Sequence, residues 1–335
     1  MAKDRRATAV MFGFDFQVNA AIVLMLENIE SLKSLRLEGN FEDIELELDT
    51  DEHILAQAKA VEKSSTDFKN VRTNLHKAMI SLSEGAQKTN AKQLILITNS
   101  PNPLNENESK NLFLGAAHRE FDSLPESSQK LILDYLKEIE SPLDTQKFMI
   151  QILPFETDND AERYKIVRQA VDDFIGDLNL NIPGIGKKLL RIWHDDVFKN
   201  GTKKDADIKL HKKDIIWPVL VIATDIERCD EAFANYFDTS LYEEIVHQYQ
   251  KVIDSCCERC EFFIKVLCDY NEFQSTKKPS EKCVDFALTK WEDYIPELAL
   301  KNADEETQKG LIQIILYNIV RNRLMIDRIK KGVKL

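Results

Sequence analysis

Asp43, Gln57 and Lys59 stand in the order D–x(13)–Q–x–K, with Glu38 shortly before them. A carboxylate and an amide oxygen are hard donors of the kind Mg²⁺ or Mn²⁺ takes. Such an ion polarises a phosphate and lowers the pKa of its bound water. A lysine alongside orients or deprotonates that water and offsets charge in the transition state. The chemistry these residue types can do together is metal-assisted hydrolysis of a phosphodiester. The pattern is short, however, and a solvated hairpin carrying charges has the same spacing.

Positioning these groups falls to residues 34–60, SLRLEGNFEDIELELDTDEHILAQAKA. Side chains alternate along a strand. Over 41–48, Asp43, Glu45 and Glu47 therefore share one face, and Ile44, Leu46 and Leu48 the other. The polar run Asp49, Thr50, Asp51, Glu52 predicts a turn, with the chain returning through 53–61. On the return strand Gln57 and Lys59 share a face. Pairing the strands brings Asp43, Gln57 and Lys59 together, with Glu38 supplied by the preceding short strand.

Gly13-Phe14-Asp15-Phe16-Gln17, a long apolar helix, then Leu37-Glu38-Gly39, Glu42-Asp43-Ile44 and Gln57-Ala58-Lys59 carry a resemblance. Together they resemble the nuclease domain of the CD-NTase-associated double-stranded DNA endonucleases, a domain also found in nuclease subunits of Lamassu-type anti-phage systems. Both belong to the PD-(D/E)xK superfamily, in the variant where Gln takes the middle acidic place. The resemblance covers residues 8–155 and fades by about 225. It implies that Asp43 and Gln57 hold Mg²⁺ (or Mn²⁺), that Lys59 serves the water, and that Glu38 and Gln17 complete the site, with Asp15 a supporting candidate. It implies a mixed sheet flanked by helices. The expected partners are double-stranded DNA and, in the Lamassu arrangement, an SMC-like ATPase and an accessory subunit, with the nuclease oligomeric when active.

Along the rest of the chain, 18–32 predicts a helix buried on most sides. Ser64 to Asp67 reads as a helix start, followed by apolar residues at helical spacing from Phe68 to Leu82. The run 93–98 (QLILIT) predicts an interior strand, parallel to a neighbour through the intervening helix. From Ser109 the pattern turns largely helical, with 148–155 a further strand. Gly184-Ile185-Gly186-Lys187 has a phosphate-loop look but lacks the strand–GxxxxGK[ST]–helix context. Residues 215–224 predict an edge strand, because Pro218 argues against a helix interior. The remainder reads as long helices over 228–270, 280–300 and 304–331. The expected division is thus an α/β nuclease domain over 1–155, a mainly helical extension with a basic stretch over 156–224, and a helical partner-binding region over 225–335.

The formal net charge is −12. A local patch can still supply phosphate contacts while the rest stays acidic. Lys187, Lys188, Arg191, Lys203, Lys204, Lys212 and Lys213 form the expected DNA-contacting stretch; a second basic run closes the chain, from Arg321 to Lys334. Six cysteines, all in the last third, read as reduced thiols of a cytoplasmic protein. The CxxC of Cys257 and Cys260 lacks a second pair to complete zinc and matches one buried helix face. His194-Asp195-Asp196 suits either a metal or an exposed helix turn. No apolar run is expected to be long enough for a membrane span, and no signal-peptide core is visible. The function these readings favour is a Mg²⁺-dependent DNA endonuclease, the gated effector of an anti-phage system. The alternative is a non-catalytic protein of the same fold that tethers DNA or holds subunits.

Overall fold

The computed structural model describes residues 8–62, 68, 70–156, 158–223, 233, 236–298 and 303–335. The chain divides into two units, Met1–Ile215 with Val333–Leu335, and Ile216–Gly332.

The first unit is built on a seven-stranded mixed sheet in the order β5-β6-β4-β3-β2-β1-β7. Its strands are β1 (Leu32–Leu37), β2 (Ile44–Leu48), β3 (His53–Lys59), β4 (Ala91–Thr98), β5 (Ala117–Glu120), β6 (Phe148–Ile152) and β7 (Leu210–His211). β3, β4 and β6 run parallel, and the remaining pairs are antiparallel. Two parallel strands need a crossover. Helix α2 (Val71–Lys88) makes the one between β3 and β4, as the sequence predicts. Its Leu75, Ala78, Met79 and Leu82 recur every three or four residues. They form one face, buried against Leu55, Leu94, Leu96, Phe113 and Ile132. Leu94 to Ile97 of β4 are at most 2% exposed, which explains their unbroken apolar run.

After α3 (Glu126–Leu136) and the short α4 (Asp160–Arg163) come α5 (Lys165–Asp177) and α6 (Ile185–Gly201), and helix α1 (Thr8–Glu27) lies against these last two and against β1, β2 and β3. With neighbours on several sides, its residues from Val18 to Leu26 are all buried. It starts ten residues earlier than the pattern 18–32 suggested and stops at Glu27. It is also long and apolar enough to cross a membrane by composition, contrary to expectation, but 61% of its apolar window is buried by the unit itself. That is the environment of a core helix.

Three further differences have simple causes. Residues 215–224 are not an edge strand; they lie mostly in helix α7 (Lys212–Ala223), with Pro218 inside it. Ile215, Ile216, Val219, Leu220 and Ala223 are buried at helical spacing, and this periodicity outweighs the one N–H that proline lacks. β5 lies within the region read as helical, and β7 is only two residues long; neither offers the alternation that betrays a strand. The segment 156–224 is not one extension. Up to Ile215 it belongs to the first unit, with α5 and α6 packed on α1, and from Ile216 to the second. The helix start at Ser64 to Asp67 lies outside the described residues.

The second unit is helical among its described residues: α8 (Thr239–Glu258), α9 (Cys260–Glu272), α10 (Pro279–Lys290), α11 (Ile295–Leu298), α12 (Glu305–Arg321) and α13 (Arg323–Gly332). The expected long helices are broken, at Arg259 and at Asn322. α12 is its centre: Gly310 to Val320 are all buried, not only a stripe. α8, α9 and α10 pack around it, and Tyr317 stacks on Phe233 at 3.7 Å between ring centroids. Cys256 is buried with Arg259 Nη2 3.9 Å from its Sγ. The side chains of Cys257 and Cys260 lie outside the described residues.

Candidate active site

β1 and β2 are joined by a loop over Glu38 to Asp43 whose ends close on themselves. Glu38 N donates to Asp43 O at 2.8 Å, and Gly39 N donates to Glu42 O at 3.1 Å. The buried carboxylate of Glu45 straps this loop, accepting from Phe41 N and, at 3.0 Å, from Glu42 N. Gly39 is required for the strap: a Cβ there would run into the Glu45 carboxyl group. The tight path holds Glu38 at φ 53°, in the left-handed region. A non-glycine residue there costs roughly 1–2 kcal/mol.

The loop delivers two carboxylates to one place. Asp43 Oδ2 accepts from the Gln57 amide and from Ala58 N at 3.0 Å, with Lys59 Nζ at 3.6 Å. Glu38 is exposed and hydrogen-bonded to Gln17 of α1. Partial desolvation raises its pKa, and the neighbouring Asp43 charge raises it further. Glu38 and Asp43 of the β1–β2 loop, Gln57 and Lys59 of β3 and Gln17 of α1 thus come from three elements into one cluster. Glu42, to which the sequence reading gave no role, lies directly beside it. It is 6% exposed, and burial pushes its carboxyl up to about 8.

The donor set fits a hard cation. Two carboxylates crowd one another and an amide stands beside them, so an ion of double charge would relieve the repulsion. Among the described residues no three His, Cys, Asp or Glu side chains converge as ligands. A shell here therefore needs the amide, water and substrate oxygens, which suits Mg²⁺ with its retained waters. Gln57 turns its Nε2 to Asp43, leaving Oε1 as its donor toward a cation.

Asp15 belongs elsewhere. Its carboxylate is held by Tyr164 Oη at 3.0 Å, Asn19 Nδ2 at 3.0 Å, His194 Nε2 at 3.2 Å and Arg163 at 3.6 Å. His194 is thereby paired with Asp15, and Asp195 with Lys199 at 2.5 Å, so His194-Asp195-Asp196 does not act as one unit. Sequence distance hid this cluster, since its members are up to 179 residues apart.

The basic stretch divides. Lys187, Lys188, Arg191, Lys203, Lys204 and Lys213 are exposed. Lys212 is not a DNA contact: it is 6% exposed, and its ammonium donates to Glu30 O at 3.0 Å, Asp49 Oδ2 at 3.4 Å and Lys334 O at 3.4 Å. A neutralised cation inside the fold has nothing left for a phosphate. Arg36, also buried, donates to the carbonyls of Asn200, Lys203 and Ile208 and so fixes the loop carrying Lys203 and Lys204.

No family model, curated protein or solved structure matches the chain.

Proposed function

We propose that the chain is a metal-dependent DNA endonuclease, the effector of a bacterial anti-phage system, held in check by partner subunits and active as an oligomer. The observation that carries this reading is the meeting of Glu38 and Asp43, on a strained loop at the edge of a mixed sheet, with Gln57 and Lys59 of β3 and Gln17 of α1. Strain kept at a cluster of like charges is a feature of functional sites.

In this reading Asp43, Gln57 and Glu38 would hold Mg²⁺, which when bound would polarise the phosphate and acidify a water. Lys59, 3.6 Å from Asp43, would orient the attacking water and face the charge that builds on the phosphate. Gln17 keeps Glu38 in place through its hydrogen bond. Lys188, Lys203, Lys204 and Lys213 supply phosphate contacts remote from the metal. One such site cuts one strand, so a double-strand break calls for two protomers. The helices of 225–335 are the surface we assign to the SMC-like ATPase and accessory subunit.

One observation favours a second reading. Asp43 already accepts from Gln57, from Ala58 N and from Lys59, and a carboxylate so satisfied is stable without a metal. The same cluster then serves only the fold of a DNA-tethering or subunit-holding protein. Calorimetric titration of Mg²⁺ or Mn²⁺ separates the two. The nuclease reading expects binding that Asp43→Ala removes; the tethering reading expects none in either form.

A further inference from the structure

His118 of β5 and Gln151 of β6 are direct cross-strand partners, so their side chains leave the sheet side by side. Glu27, the last residue of α1, reaches the same point. Three contacts close a triangle. Gln151 Nε2 lies 3.2 Å from each Glu27 oxygen and 3.0 Å from His118 Nε2. His118 Nε2 in turn lies 3.4 Å from Glu27 Oε1. Gln151 is 2% exposed, while the Glu27 and His118 side chains are 35% and 49% exposed. The triangle thus has one buried corner and two that water reaches.

The protons available do not satisfy all three contacts. If Gln151 donates to both neighbours, the lone pair of His118 Nε2 is left facing the Glu27 carboxylate. If His118 is protonated and donates to Glu27, its N–H faces the Gln151 donors. Turning the amide over gives Oε1 to His118 but sets it against both carboxylate oxygens. Every arrangement with Glu27 ionised keeps one like pair in contact. A proton between Glu27 and His118 removes the conflict only across a true hydrogen bond. Such bonds span about 2.7–3.2 Å between nitrogen and oxygen, and the gap here is 3.4 Å.

A metal ion removes the conflict at these distances. With the amide oxygen turned inward, a carboxylate oxygen, an amide oxygen and an imidazole nitrogen converge. Ligands of tetrahedral Zn²⁺, each about 2.0–2.2 Å from the ion, stand roughly 3.3–3.5 Å from one another. The three corners, 3.0 to 3.4 Å apart, need to move by only a few tenths of an ångström. An imidazole donor suits Zn²⁺ and related transition ions, whereas Mg²⁺ prefers oxygen alone.

We infer that Glu27 Oε1, His118 Nε2 and Gln151 Oε1 bind a divalent transition-metal ion of the Zn²⁺ type, with water in the fourth position. The ion ties the end of α1 to the β5–β6 edge of the sheet. The site shares no residue with the Glu38–Asp43 cluster and does not rest on the nuclease reading.

The test is calorimetric titration of Zn²⁺ into the full chain carrying Asp43→Ala, which keeps the candidate active site out of the signal. One Zn²⁺ is expected to bind, with Mg²⁺ in excess failing to displace it. His118→Ala, at a half-exposed position on an edge strand, should fold normally and lower Zn²⁺ affinity at least a hundredfold. Gln151→Glu is the discriminating variant. It adds a ligand charge, so it should tighten Zn²⁺ binding at least tenfold and enlarge the rise in Tm that Zn²⁺ produces. If the three side chains only bond to one another, Gln151→Glu sets two carboxylates together and gives a less stable protein that Zn²⁺ does not rescue. No Zn²⁺ binding, binding that survives His118→Ala, or weaker binding in Gln151→Glu overturns the proposal.

Discussion

Glu38 shows how strain and chemistry separate at a single residue. Its left-handed backbone suits glycine better, while its carboxylate is what a metal needs. Glu38→Gly should therefore raise stability by up to about 1 kcal/mol in denaturant unfolding while lowering cleavage at least a hundredfold. Loss of both together would mean that the carboxylate supports the fold. Glu47, two residues beyond the strapping Glu45, gives a pH prediction. Lys33 at 2.8 Å, then Lys209 at 2.9 Å and Ser34 at 3.0 Å, hold its carboxyl down at about 2. Because the folded pKa is depressed, its contribution is complete above the ordinary glutamate range and disappears as pH falls toward 2. Glu47→Gln should thus lower the urea midpoint at pH 7, with the difference from wild type closing as pH drops below about 4. A constant difference across that range would contradict the pairing.

At the scale of elements, the β1–β2 hairpin depends on contact between Gly39 and Glu45. Gly39→Ala should cost about 1–3 kcal/mol, read from thermal unfolding, because the Cβ displaces the carboxylate from two backbone N–H groups. Unaltered stability would show that the loop repacks freely. The neighbouring β2–β3 hairpin was legible in the sequence because side-chain alternation, a polar turn and the D–x(13)–Q–x–K spacing all point the same way. α2 was legible from its single helical periodicity and β4 from its unbroken apolar run. α7 was not, since its proline signal conflicts with a helical period that only burial resolves. The inward turn of Lys212 was invisible too. Its partners Glu30, Asp49 and Lys334 are brought to it by tertiary structure and by nothing in its neighbourhood. The Asp15–His194 pair escapes sequence reading likewise, because α1 meets α6 only in the folded unit.

For the whole molecule, the net charge of −12 makes non-specific attraction to DNA depend on local cations. Reversing Lys203, Lys204 and Lys213 to Glu should weaken duplex binding across all sequences and reduce the slope of log affinity against log salt by roughly two to three units. An unchanged slope would return those lysines to the status of a solvated surface. The central claim is that the Glu38–Asp43–Gln57–Lys59 cluster cuts DNA when loaded with metal. Its most direct test is plasmid cleavage by the purified chain, with and without Mg²⁺, for wild type, Asp43→Ala and Lys59→Ala, each shown to be folded. The account predicts Mg²⁺-dependent cleavage by wild type, rising with protein concentration as protomers associate, and a loss of at least a hundredfold in both variants. Cleavage by either variant at the wild-type rate would contradict it.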